Sequence, residues 1–314
     1  MGWLPHLRRL LWKTVLDTLE YDCIGFAKEA AYSFVLTFFP LLLFFVSSFA
    51  ALGSGQTEVI LEGLRRIMPP GTFSVVETYL QQLMQGRPGQ VALLSFFATL
   101  LPAVGLIATL SRALDRIYDI SPRRSFWREQ LLCLELVFIV GLPLVLVSVA
   151  GVVGSHLEHL ITRLSGGVIK FGYVWAAARW FFIVLSVFLI QMLLYRLAPS
   201  RPPRWRHILP GAVFATTLWG LATLGFGVYV SNFSAYGRIY GSIGTVIVLL
   251  VWMYVIAFVF LVGAVFNRRL AILELERRFE QFSSSDAHAA LLSAVTEEIG
   301  EETRETDAAR LRNN

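Results

Sequence analysis

The sequence predicts an all-α polytopic membrane protein with six transmembrane helices and both termini in the cytoplasm. Three observations carry this. The chain has 314 residues and is 56% hydrophobic and only 16% charged, where soluble domains carry about a quarter charged residues. Its charges are clustered, so residues 30–52, 89–111, 136–155, 180–195, 208–237 and 239–267 hold no Asp, Glu, Lys or Arg. Of its 27 basic residues, 20 fall on one side of the resulting map. A hydrocarbon core of about 30 Å needs roughly 20 helical residues; the fourth stretch reaches that length if Arg179 and Arg196 snorkel from its ends.

Residues 1–29 read as a cytoplasmic amphipathic lead-in. In MGWLPHLRRLLWKTVLDTL, Trp3, Leu4, Leu7, Leu11 and Leu16 interleave with Arg8, Arg9 and Lys13. The segment lacks an uninterrupted apolar core and a small-residue cleavage site, so no cleaved signal is expected. It suits a helix lying on the cytoplasmic leaflet or a lead-in packed on the bundle. The membrane domain, 30–270, comes next, with spans over about 30–52, 89–111, 131–153, 174–196, 208–230 and 239–267. The outer loop 53–88 is too long for a bare connector. It predicts two short amphipathic helices, one carrying Ile60, Leu61, Leu64 and Ile67, the other Phe73, Val76, Leu80 and Leu83, broken between Met68 and Gly71. Residues 271–314 form a charged cytoplasmic tail, Ser-, Glu- and Ala-rich and partly disordered.

Orientation comes from the basic residues. Arg8, Arg9, Lys13 and Lys28 precede the first span; Arg112, Arg116, Arg123, Arg124 and Arg128 fill the 2–3 loop. Arg196, Arg201, Arg204 and Arg206 fill the 4–5 loop, and Arg268, Arg269, Arg277, Arg278, Arg304, Arg310 and Arg312 come after the last span. Arg65, Arg66, Arg87, Arg163, Lys170, Arg179 and Arg238 lie opposite. Topology thus accounts for the net charge of +5, and no nucleic-acid partner is expected. Cys23 and Cys133 both fall near the cytoplasmic face, where a disulfide is not expected.

Pro40, Pro102 and Pro143 lie near the midpoints of the first three spans. Each removes a backbone donor and frees the carbonyl one turn back, which in lipid must find a hydroxyl, a helix or water. Three breaks at similar depth would line a hydrated cavity; ordinary kinks are the alternative. The stretch YGRIYGSIGTVIVLLVWMYV opens with Tyr236, Gly237, Tyr240, Gly241 and Gly244. It reads as a tight outer turn feeding a closely packed helix, or as a lip facing a ligand. Ionisable groups bordering spans are the default functional candidates: Glu29, Asp115, Arg116 and Glu135. Glu135 is paired more reasonably with Arg116 or Arg128 than with Arg179 across the membrane; these groups also suit structural ion pairs at helix ends. His156, Glu158 and His159 lack a third metal ligand in sequence. Neither a hydrolase motif nor a nucleotide-binding motif is present, so no catalytic residue, metal or cofactor is expected.

With the spans placed, AAYSFVLTFFPLLL, ALDRIYDISPRRSFW, WRHILPGAVFATTLWGL and YVSNFSAYGRIYGSIGTVIVLLVWMYVIAFVFLVGAVFN resemble the YihY/BrkB family of bacterial inner-membrane proteins over roughly residues 25–275. Pattern positions match at Ala31, Tyr32, Phe39, Pro40, Ala113, Leu114, Arg116, Tyr118, Pro210, Gly211, Tyr229, Asn232, Tyr236, Tyr240, Gly241, Trp252, Tyr254, Gly263 and Asn267. Val265 stands where the family often has an acid, and Asp115 where Asn is usual. The resemblance implies a bacterial inner-membrane protein; family labels include ribonuclease BN, virulence or serum resistance, and envelope lipid export. The expectation is a protein that binds and helps translocate a lipid or other amphiphilic envelope component, using Pro40, Pro102, Pro143, Arg116, Arg123, Arg124 and Glu135. The alternatives are an envelope scaffold and, more remotely, a membrane-bound ribonuclease. Expected partners are membrane lipids, with a second copy or an envelope protein as a further option.

Overall fold

The computed structural model describes residues 3–52, 87–121, 125–143, 171–232, 244 and 246–277. Seven helices and no strand occur among the described residues: α1 Trp3–Glu20, α2 Cys23–Leu52, α3 Pro88–Ile117, α4 residues 126–143, α5 Phe171–Leu197, α6 Trp205–Asn232 and α7 Val246–Arg277. Five contain stretches long and apolar enough to cross a membrane: Cys23–Ser48, Pro88–Ile117, Trp180–Leu197, Trp205–Val230 and Val246–Arg277. The expected span 131–153 begins within α4, and its residues beyond 143 lie outside the described ones. So do the proposed helices of the outer loop between 53 and 86, the His156–His159 pair and the tail beyond 277. The chain divides into two compact units, Met1–Arg268 and Arg269–Asn314. The first contains α1 to α6, and α7 as far as Arg268.

The helices overrun the charge-free stretches that announced them. α2 begins at Cys23 rather than 30 and carries Lys28 and Glu29 within it. Absence of charge marks depth in hydrocarbon, whereas a helix continues until a cap ends it. The cap here is Asp22, at φ 55°. Its N–H bonds the Leu19 carbonyl at 3.2 Å, closing α1, and its carboxylate accepts from the Gly25 N–H at 3.2 Å, opening α2. α3 ends in a Schellman motif with Asp119 in the left-handed position at φ 55°. There Ile120 N–H reaches Asp115 O at 2.9 Å and Asp119 N–H reaches Arg116 O at 3.3 Å.

Packing is antiparallel along the chain. α2 and α3 form an intimate pair, joined at one end by Glu29 and Arg112 and at the other by Phe44 and Phe96, 5.5 Å apart. α5 turns into α6 through residues 198–204, where Arg196 donates to the Pro203 carbonyl at 2.7 Å and lies over the Trp205 ring. α6 and α7 stack through Phe214–Phe266 at 4.4 Å and Phe226–Trp252 at 4.6 Å. Small residues line these contacts: Ala27, Ala30, Ala113, Ala198, Ala212 and Ala264 are fully buried, as expected where association in lipid rests on close backbone approach. Several hydroxyls are satisfied inside their own helices, as when Thr99 donates to Ser95 O and Ser95 to Val91 O, each at 2.7 Å.

Among the described residues, the main core cluster gathers where α2 and α6 begin and α3 and α5 end, against the middle of α7, with Cys133 and Leu136 of α4. Away from it, large apolar side chains such as Leu93, Leu94, Phe97, Leu101, Leu224 and Val228 are exposed, the surface a lipid-facing bundle needs.

α2 and α3 run unbroken through Pro40 and Pro102, and Pro143 closes the described part of α4. The two prolines therefore withhold one backbone donor each without splitting their helices, because the neighbouring turns keep their bonds.

Candidate functional site

The densest polar chemistry sits at this packed end, built from residues that terminate helices. Glu29, in the second turn of α2, comes level with Thr109 and Arg112 of α3. The Thr109 hydroxyl donates to Glu29 Oε1 at 2.9 Å, and Arg112 Nη2 donates to the same oxygen and to Thr109 Oγ1 at 3.2 Å. The pair is half exposed, 55% for Arg112 and 48% for Glu29, so its attraction is screened and worth at most about 1 kcal/mol. A guanidinium has five N–H donors. Among the described residues only Nη2 of Arg112 is engaged, leaving the rest of its fork open; exposed Lys28 precedes Glu29 in sequence and exposed Arg116 follows Arg112 by one turn.

Deeper in, polar groups lock helix to helix. Asp115 is buried and accepts from both the backbone N–H and the hydroxyl of Ser200, at 2.6 and 2.5 Å. Ser111 donates to Ala198 O at 2.6 Å. Asn267 ties α7 to α6: its Oδ1 accepts from Gly211 N–H at 2.6 Å and its Nδ2 donates to Ile208 O at 3.1 Å. That approach requires glycine at 211, where a Cβ would collide with the Asn267 side chain. Tyr195, wholly buried, stacks on Phe260 at 4.7 Å and donates to its carbonyl at 2.6 Å. Arg268 donates to Ile117 O, lies 3.9 Å from Asp119 and covers the Tyr21 ring at 4.7 Å. Burial pushes the Tyr118 phenol above its ordinary range. Among the described residues its hydroxyl has no partner of normal hydrogen-bond geometry; Asn267 lies near it, but its amide is engaged with α6.

A family model for virulence factor BrkB matches residues 15–288, most of the chain. The chain belongs to the BrkB virulence factor family. It is 31% identical over 244 residues to the ribonuclease-like protein YfkH of Bacillus subtilis, an alignment covering 78% of this chain and 88% of YfkH. A UPF0761 membrane protein of Alkalilimnicola ehrlichii is 28% identical over 84% of this chain and 59% of its own length. One of Verminephrobacter eiseniae is 28% identical over 83% and 63%. The chain thus spans about six tenths of these longer BrkB-type relatives. No solved structure matches it.

The BrkB pattern positions that the structure describes are largely contact points. Gly211 and Asn267 meet each other, Gly263 meets Tyr195 and Ala215, and Trp252 stacks on Phe226. Tyr118 lies by Asn267, whereas Tyr32 is 62% exposed. Tyr236, Tyr240 and Gly241, with Arg123 and Arg124, fall outside the described residues. Of the two departures, Val265 is completely buried in the apolar cluster, and Asp115 has the acceptor pair that Ser200 needs.

Of the other candidates, Arg116 is exposed in the last turn of α3. Glu135 stands exposed on α4. Neither Arg116 nor Arg128 forms an ion pair with Glu135 among the described residues; the arginine-bound carboxylates there are Glu29, with Arg112, and Asp119, with Arg268, while Glu135 is exposed on α4. Sequence reasoning missed Thr109, Arg112 as a site residue, Tyr195 and Ser200. Tyr195 could have been found as a phenol closing the charge-free run 180–195, where its hydroxyl must be satisfied.

Proposed function

We propose that this chain is a bacterial inner-membrane protein with six spans and both ends in the cytoplasm, binding an anionic lipid or related amphiphile and assisting its passage. The open, half-exposed guanidinium of Arg112 carries the reading. A phosphate oxygen approaching from the headgroup layer meets unengaged N–H donors, with Lys28, next to Glu29 in sequence, and Arg116, one turn past Arg112, to add attraction. The orientation is supported by the 20 of 27 basic residues on one side. The packed end, where Lys28, Arg112, Arg116, Arg196 and Arg268 lie, would then be the cytoplasmic end. Arg123 and Arg124 extend the basic field of the 2–3 loop, while Pro40, Pro102 and Pro143 leave carbonyls without backbone donors along the path.

The name of YfkH raises the ribonuclease alternative. Here Glu29 and Asp115 are engaged with Arg112, Thr109 and Ser200, so structural roles account for two of the three carboxylates that reading would use. An envelope scaffold acting through the outer loop remains the alternative outcome of the test.

The test is reconstitution into phosphatidylcholine vesicles carrying a fluorescent phosphatidylglycerol. Arg112→Ala is expected to slow transbilayer movement about tenfold, the equivalent of one charge-assisted hydrogen bond of about 1.4 kcal/mol; Arg123/Arg124→Ala together should also slow it. Movement equal to protein-free vesicles, or indifferent to all three arginines, would reject the reading.

A further inference from the structure

α1 is built inside out for a helix in water. Its buried positions are largely polar: Thr14 is 2% exposed, Asp17 3% and Thr18 3%, with Leu10 beside them. Its apolar side chains face outward, Trp12 at 65%, Leu19 at 60%, Val15 at 54% and Leu16 at 48%, with Leu11 also exposed. The inner hydroxyls are satisfied within the helix, Thr14 donating to Leu10 O at 2.9 Å and Thr18 to Thr14 O at 2.7 Å.

At roughly 100° per residue the five outward apolar residues share one arc of about 140°, and Leu10, Thr14, Asp17 and Thr18 share another. Exposed Lys13 and Glu20 fall in the gap between the two, while exposed Arg8 continues the apolar arc one turn toward the N-terminus. From Leu10 onward the helix therefore has three sectors, one for the protein, one apolar and one charged, with Arg8 ending the apolar one. A helix merely packed on the bundle needs only the first and last.

We propose that α1 is an in-plane membrane anchor, its Leu11, Trp12, Val15, Leu16 and Leu19 stripe seated at the headgroup–acyl boundary of the leaflet where α2 enters. Continuity selects lipid as the occupant. Only Tyr21 and Asp22 separate α1 from α2, the candidate span of α2 begins at Cys23 and its charge-free part at Ala30, so the stripe lies within about two helical turns of the depth where hydrocarbon starts. Charge complementarity points the same way: Arg8 and Lys13 are exposed on this helix, with stems long enough to reach anionic headgroups while the apolar arc sinks below them. Asp22, capping both helices, keeps the in-plane segment tied to the span. This inference needs α2 to cross a membrane but does not depend on lipid transport.

The test uses the full chain in nanodiscs of phosphatidylcholine and phosphatidylglycerol, with a bimane label at Leu16→Cys, Leu19→Cys or Lys13→Cys. Cys23 and Cys133 are wholly buried, and the wild-type chain measures their background labelling. Labels at 16 and 19 are expected to be quenched by lipids brominated near the top of the acyl chain and spared by aqueous iodide, with the reverse at 13. Val15→Cys reports on the same arc should a leucine variant fail to fold. Iodide quenching at 16 and 19 equal to that at 13 would overturn the proposal. Shielding from both quenchers would assign the stripe to a protein contact, a second copy if the labels couple, and would overturn it too. A chain inactive in the vesicle assay would still show the expected quenching, so the two proposals fail separately.

Discussion

At Gly263 a single hydrogen separates the α7 backbone from the Tyr195 hydroxyl and the Ala215 methyl; a Cβ there would collide with both and lie 3.0 Å from the Gly211 carbonyl oxygen. Gly263→Ala should therefore cost about 1–3 kcal/mol by overpacking, measured by unfolding in detergent. Gly220→Ala meets nothing within 4 Å and should stabilise its helix by about 0.5–1 kcal/mol; equal effects at the two sites would refute the close-packing account. Gly211, Gly263 and Asn267 were visible in the sequence as motif positions, but their purpose was not. Only the structure shows that two glycines and an amide form one α6–α7 contact, because partners 56 residues apart leave no local periodicity. Ser200 was invisible for the same reason: its partner, Asp115, lies 85 residues away.

Helix ends were the elements hardest to read. Charge-free runs located the apolar middles of α2, α3, α5, α6 and α7, since hydrocarbon excludes charge, but said nothing of where capping chemistry stops a helix. Asp119 ends α3 in a left-handed conformation at φ 55°, a geometry that glycine adopts without strain and a β-branched residue resists. Asp119→Gly should change stability by less than about 0.5 kcal/mol. Asp119→Val should cost about 1–2 kcal/mol, read from the shift in thermal unfolding. The Arg268 contact to Asp119 is long, at 3.9 Å, and its loss is common to both variants, so their difference isolates the backbone. The inverted faces of α1 were also beyond sequence reading. An alternation of Leu with Arg and Lys identifies an amphipathic helix, yet which face meets the protein depends on the neighbours.

Across the whole molecule, the described residues divide into a tightly locked end and a sparsely packed remainder. Within α3, buried residues crowd Ala103–Ile117, whereas before it only Ala92, Ser95 and Thr99 are buried. Hydrogen exchange in micelles should accordingly be slower for amides of 103–117 than for those of 91–101, even though one continuous helix holds both; uniform rates along α3 would contradict the division. Composition had announced a membrane bundle, because that depends on solvent. It could not announce the unequal packing, which depends on which small residues meet.

The cross-links Ser200–Asp115, Ser111–Ala198, Asn267–Gly211 and Arg268–Ile117 all fall at that one end. Rods whose polar fastenings sit at one extremity, with only ring contacts such as Phe44–Phe96 and Phe226–Trp252 farther out, have the leverage of tweezers. For a helix of about 30 Å, made of roughly 20 residues at about 1.5 Å each, a tilt of about 5° about the fastened end carries the free tip roughly 2.6 Å sideways. Small rotations that leave every fastening intact are thus magnified into gaps the width of a methylene chain's radius, and the arms widen most where the pivot is farthest.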